Sequence, residues 1–191
     1  MITLKDTDYI LSDVSVKQIT PNFYTESVNY IGNSKSRGLH RLEMEFTVTL
    51  ENSIDVKRFN AFMLKVRGRL NPFQLVLSPE EYYNPLYTPI KTCKLVNRVD
   101  IGNNTITLTG FSGVIPAGSM FQFPNDTKIY TVLDDVRSNS SVEIFPACRF
   151  TQPENGNLNF NPSPMLRLVE DSFKVKYEKA TEYKLSTMEV I

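Results

Sequence analysis

Tryptophan is absent from these 191 residues, histidine occurs once, at His40, and cysteine twice, at Cys93 and Cys148. Two cysteines with no Cys-x-x-Cys spacing build neither a disulfide framework nor a zinc site, and they read as small apolar fillers. One imidazole, with no serine or cysteine in a nucleophile-elbow context, gives a Ser-His or Cys-His dyad nothing to rest on. Net charge is missing as well, since 21 Lys+Arg balance 21 Asp+Glu. No long-range field draws the chain toward polyanions, and specific nucleic-acid binding is not expected. Apolar runs are short pieces such as Leu75-Val76-Leu77, far below the roughly 18 residues that span a bilayer, so no membrane insertion is expected. Met1 to Asp13 carries acidic residues and no apolar stretch, which makes a secretory signal unexpected and synthesis in a reducing cytoplasm the default. The eight glycines lack phosphate-cradling spacing. Asp6, Asp8 and Asp13 lack the glycine and terminal Glu of a calcium loop. Asp134 and Asp135, adjacent on a strand, would point to opposite faces, which defeats an acid–base pair. The sequence assigns no catalytic, cofactor or metal residue, and an enzyme is not expected.

What is present leans to β structure. Sixteen Asn and 11 Pro, with many Thr, Val, Phe and Tyr, outweigh the good helix formers. Asp13 to Ile19 alternates polar and apolar, and Leu42, Met44, Phe46, Val48 and Leu50 alternate with Arg41, Glu43, Glu45, Thr47 and Thr49. Between them, Gly32 to Gly38 reads as a polar loop. Asn52 or Ser53 can cap one short helix in which Ile54, Phe59, Phe62, Met63 and Val66 recur at helical spacing before Gly68 ends it. Its other face, with Lys57, Arg58, Asn60, Lys65 and Arg67, is basic. That face is either solvated, as is usual, or docked on an acidic neighbour.

Phe73 to Leu77 reads as a buried strand, after which the texture changes. Ten of the 11 prolines lie between Pro72 and Pro164, and Pro79 to Pro89 and Pro153 to Pro164 look like connectors bracketing a central segment. Inside it, Thr92 to Val99, Thr105 to Thr109, Ser119 to Phe123, Lys128 to Leu133 and Ser140 to Phe145 read as short strands of a small Greek-key barrel or sandwich. Met165 to Val169, Phe173 to Tyr177 and Tyr183 to Ile191 then resume alternation. Too few to be stable alone, they should return to the N-terminal part. The expected architecture is mainly β: one β-sandwich or barrel domain over residues 1–91 and 162–191 with one short helix, and a barrel inserted over residues 92–161. Tyr82, Tyr83 and Tyr87, near Phe73 and set among prolines, either pack over the joint or mark an interface. The Asn155 to Asn161 stretch reads as a plain connector, with sugar contact by Phe160 and the Asn amides as the other reading.

One stretch carries more than composition. Ile115-Pro116-Ala117-Gly118-Ser119-Met120-Phe121-Gln122-Phe123, followed by Lys128-Ile129-Tyr130-Thr131-Val132, resembles a segment of siphophage distal tail proteins and related tail-tip baseplate proteins. The downstream Val142-Glu143-Ile144-Phe145-Pro146 and the returning Met165 to Asp171 follow in the same order. The resemblance covers about half of the chain, and Ser119 after Gly118 stands where the family usually has Asp. It implies a tail-tube-like domain carrying an inserted OB-like barrel. It also implies a structural virion protein, made in the bacterial cytoplasm, forming a hexameric ring at the distal end of the tail. Expected partners are further copies of itself, the tail-tube protein and the baseplate hub or tip protein, with a side fibre or receptor-binding protein as a further neighbour. Candidate interface residues are Arg58, Lys65, Tyr82, Tyr83 and Tyr87. The strands Arg41 to Leu50 and Arg167 to Lys176 are candidates to continue a sheet into the next subunit. The alternatives are a carbohydrate-binding tail module, with Tyr130 and Phe160 as glycan contacts, and a wedge or tube-adaptor protein of a contractile baseplate.

Overall fold

The structure, a computed structural model, describes residues 1–86, 90–178 and 181–190. The fold is mainly β, in two curled sheets that each enclose a core of their own. The first sheet is built from β1 (Thr3–Lys5), β2 (Ile10–Ile19), β5 (Arg41–Leu50), β6 (Phe73–Val76), β14 (Met165–Leu168) and β15 (Thr181–Glu189). Its spatial order is β1-β6-β14-β15-β5-β2, parallel only between β1 and β6. Between β2 and β5 the chain leaves the sheet as a separate hairpin, β3 (Asn22–Glu26) and β4 (Gly32–Ser36). Gly32 to Gly38, read as a loop, therefore holds a strand. Its polar residues are tolerated because the ribbon lies wholly in solvent.

Alternation along β5 translates into burial. Leu42, Met44, Phe46, Val48 and Leu50 are at most 1% exposed, while the intervening residues are half-buried on the other face. There Lys17 meets Glu43 at 3.1 Å, Arg41 meets Glu43 at 3.4 Å and Lys184 meets Glu45 at 2.8 Å. The two cross-strand pairs, Lys17–Glu43 and Lys184–Glu45, fix register more than they stabilise.

Helix α1 (Ser53–Val66) covers the apolar face. Asn52 Oδ1 accepts hydrogen bonds from the amides of Ile54 (2.9 Å) and Asp55 (3.0 Å), satisfying two donors that the first turn leaves open. Val56, Phe59, Phe62, Met63 and Val66 face the sheet, and burying each such side chain contributes roughly 1.5–3 kcal/mol. Ile54, assigned from sequence to that face, is instead 59% exposed. At 100° per residue it sits opposite Val56, Phe59 and Met63. The helix ends as Arg67 turns left-handed (φ 55°) and donates its amide to Met63 O at 2.9 Å. Gly68 follows at φ 62°, so close to Asp171 that a Cβ would lie 2.6 Å from its Cα. A second, four-residue helix, α2 (Pro79–Tyr82), occupies the first proline connector, where proline at the first helical position costs no hydrogen bond.

The second sheet has the order β10-β11-β13-β8-β7, from β7 (Lys94–Leu95), β8 (Thr105–Thr109), β10 (Met120–Phe121), β11 (Tyr130–Val132) and β13 (Ser140–Phe145). A small pair, β9 (Val114–Ile115) with β12 (Val136–Arg137), lies beside it. Its two edges, β7 and β10, are joined by residues 155–159. Leu158 N donates to Cys93 O (2.9 Å), Leu95 N to Gly156 O (3.0 Å), and Gln122 and Asn159 exchange bonds of 2.9 and 3.0 Å. The asparagine-rich stretch read as a connector is thus the stave that closes a small barrel. Inside, Phe121, Phe123, Tyr130 and Phe160 pack ring on ring with centroids 4.7–5.7 Å apart.

After β14 the chain does not form the expected strand at residues 173–177. Both neighbours of β14, β6 and β15, are already in place, so neither side of β14 is open to receive it. The segment runs irregularly over α1, where Asn60 Nδ2 donates to Tyr177 Oη at 3.2 Å and Tyr183 Oη donates to Lys176 O at 3.0 Å.

Candidate assembly surfaces

The two cores meet at a buried polar joint. Lys128 Nζ pairs with Glu189 Oε2, the side chains 1% and 0% exposed, and also donates to His40 O at 3.1 Å. Glu189 further accepts from Leu42 N (3.0 Å) and Ile129 N (3.3 Å). Burial lowers the Lys128 amine below its ordinary value, and the Glu189 carboxylate opposes that shift. Nearby, the buried Asn84 receives the amide of Met120 at 2.8 Å and returns Nδ2 donations to Met120 O (2.9 Å) and Phe160 O. Gln122 completes the joint, accepting from Ser163 N at 2.8 Å. Every buried charge and amide named here is engaged across the two cores, which fixes the barrel against the first sheet.

His40 belongs to this joint. Its Nε2 donates to Gln18 Oε1, its ring lies edge-on to Phe145 at 5.0 Å, and its pKa falls from 6.5 to about 4 through burial and then the Lys128 charge. Cys93 and Cys148 are buried free thiols. Burial pushes Cys93 up to about 12 and raises Cys148 as well. Asp134 and Asp135 fall in the bend between β11 and β12, where Asp135 accepts from Ala117 N at 2.8 Å.

Outside the cores, three features face solvent with unfulfilled contact chemistry. All ten strand residues of the β3–β4 hairpin are exposed, and it displays Phe23 (60%), Tyr24 (64%), Val28 (97%), Tyr30 (87%) and Ile31 (63%). Its tip is ordered by Ser27, whose amide donates to Ile31 O (3.0 Å), whose carbonyl accepts from Tyr30 N (2.9 Å) and whose hydroxyl accepts from Ile31 N (3.2 Å). The long edge of β2 pairs on one side only, with β5. On α1 the outer face mixes Ile54, Leu64, Lys57, Arg58 and Lys65. No protein-family model and no curated protein matches this chain.

The sequence candidates divide accordingly. Arg58 and Lys65 are exposed on α1. Tyr83 is 5% exposed and belongs to the first core, which removes it as a surface contact. Tyr82 is half-buried and donates its hydroxyl to Leu11 O at 3.2 Å. Tyr87 lies outside the described residues. Tyr130 and Phe160, named for glycan contact, are 0% and 1% exposed because the barrel core takes both rings; neither offers a face to a sugar in solvent. The strands proposed to extend a sheet are also displaced: β5 lies between β15 and β2, and β14 between β6 and β15. The sheet's edges are β1 and β2. Sequence reading missed the hairpin, although Phe23-Tyr24-Thr25 is a β-prone run bounded by Pro21 and a polar turn.

Among the described residues, no three or more His, Cys, Asp or Glu side chains gather as a metal site, and no helix is long and apolar enough to cross a membrane.

Proposed function

We propose that this chain is a structural subunit of a bacteriophage tail. It assembles with copies of itself into a ring at the distal end of the tail tube, joins tube to baseplate hub or tip, and acts by geometry with no turnover. The observation that carries the reading is the β3–β4 hairpin. A two-stranded ribbon without a core is marginal in water, and this one projects five large apolar side chains from a body whose own cores are complete. Five large apolar side chains exposed on one small ribbon point to a contact with another protein. The ordered resemblance from Ile115 to Val132 supplies the kind of assembly, and with it a six-fold ring with the barrel outward. In such a ring the hairpin reaches a neighbouring subunit or the tube.

The test is the mass and symmetry of the purified chain, by light scattering and negative-stain imaging, alone and with a tail-tube protein. Rings in either condition support the reading. A monomer in both overturns it.

A further inference from the structure

Two of the protein's surfaces are complementary to each other. The first is the outer face of α1, where Ile54 (59% exposed) and Leu64 (58%) sit about 15 Å apart along the helix, interleaved with Lys57, Arg58 and Lys65. Among the described residues none of these three cations forms a salt bridge. The second is an open groove of about 680 Å³ where the end of β6 and α2 meet the start of β2. Ile10, Leu11, Leu77 and Tyr82 give it an apolar lining, and Asp6 and Glu81 give it carboxylates that have no salt bridge among the described residues. The Tyr82 hydroxyl registers this field, its pKa raised by burial and then by Glu81 and Asp6.

We propose that the groove of one copy receives the α1 outer face of a second copy of this chain. Leu64 and Ile54 enter the apolar lining, and Arg58 and Lys65 meet Glu81 and Asp6. Like faces repel, helix against helix and groove against groove, so each helix face pairs with a groove; made head-to-tail, such contacts close into a ring when the rotation permits. A chain cannot satisfy itself this way, because Phe59, Phe62 and Met63 hold α1 on its own sheet. The zero net charge fits a subunit whose cationic and anionic surfaces are meant for each other. The inference rests on the ring reading above and names its interface.

Charge exchange tests it. Self-association of the full chain is measured by light scattering and sedimentation for wild type, for Arg58→Glu with Lys65→Glu, for Glu81→Arg with Asp6→Lys, and for all four together. Circular dichroism confirms that each variant is folded. Either reversal is expected to weaken association at least tenfold, and the four together to return within about threefold of wild type, since reversed partners attract again. Raising salt from about 0.1 to about 1 M, which shortens screening from about 10 to 3 Å, should weaken wild type and the fourfold variant alike. Rings that form equally well in the two reversal variants, or a fourfold variant no better than either, overturn this interface and leave the ring reading standing. A wild type that stays monomeric alone and with the tail-tube protein overturns both.

Discussion

Lys128 and Glu189 face each other across the joint between the two cores, both side chains out of water; Lys128 also donates to His40 O, and Glu189 accepts the amides of Leu42 and Ile129. Desolvating two charges costs several kcal/mol per ion, which their attraction offsets only with such geometry. The pair therefore contributes more to where the barrel sits than to how stable the fold is.

Removing one partner exposes that asymmetry. Lys128→Met should destabilise the protein by about 3–5 kcal/mol, because Glu189 is left charged and buried, whereas Lys128→Met with Glu189→Leu should recover most of the loss. Denaturant unfolding of the two variants decides it, and equal stabilities would contradict the account.

His40 gives the joint a pH dependence. Its folded pKa of about 4 lies below the ordinary 6.5, so the unfolded chain binds the proton first. The His40 contribution to stability is fully present above pH 6.5, is lost progressively as pH falls toward 4, and changes no further below. Subtracting the stability profile of His40→Gln from that of wild type should leave a slope confined to this window. A flat difference between pH 7 and 4 would exclude the buried neutral imidazole.

Gly68 is held by its neighbours. Gly68→Ala places a Cβ against the Asp171 backbone at a left-handed residue. The conformation alone costs about 1–2 kcal/mol, and displacement of Asp171 adds to it. A thermal midpoint equal to wild type would show that the approach relaxes freely.

The hairpin can be removed without touching either core. Pro21 O and Arg37 N are already joined at 3.3 Å at its base, so replacing residues 22–36 by a short glycine link should change unfolding stability by less than about 0.5 kcal/mol and abolish assembly. Unaltered assembly would remove the observation on which the proposed function stands.

The two thiols should be silent in the native state. Cys93 and Cys148 are buried with raised pKa values, and Cys148 donates to Phe150 O at 3.0 Å, so a disulfide reagent at pH 8 should react with neither until the protein unfolds, and then with both.

The strands legible in the sequence were those with a period and a single buried face. Leu42 to Leu50 alternates because one side is core and the other is solvent, and α1 announces itself through Asn52, Phe59, Phe62 and Gly68. What failed to show was everything set by distant partners. Residues 155–159 look like a loop in composition, and only the open edges of β7 and β10 make them a stave. Phe173 to Tyr177 has the pattern of a strand, but β14, the strand it follows, is already paired on both sides. Tyr130 and Phe160 carry the composition of a sugar site, yet their rings fill a barrel. Lys128 and Glu189, 61 residues apart, leave no local signal, since an ordinary lysine and an ordinary glutamate read as surface.

The place of β15 in the first sheet has a consequence for synthesis. This strand pairs with β5 from Thr181 opposite Leu50 onward, so after Leu50 leaves the ribosome about 130 more residues must follow before the β5 edge is covered. At roughly 5–20 residues per second that is on the order of ten seconds. The barrel core, drawn from residues 90–160, is fully translated within that interval and can fold while the first sheet waits. An unfilled slot in the middle of a sheet invites another nascent chain to pair there. Chains made in numbers on one message must therefore finish their own sheets before they meet, and slow translation near Thr181 would favour tangled, strand-exchanged dimers over correctly closed sheets.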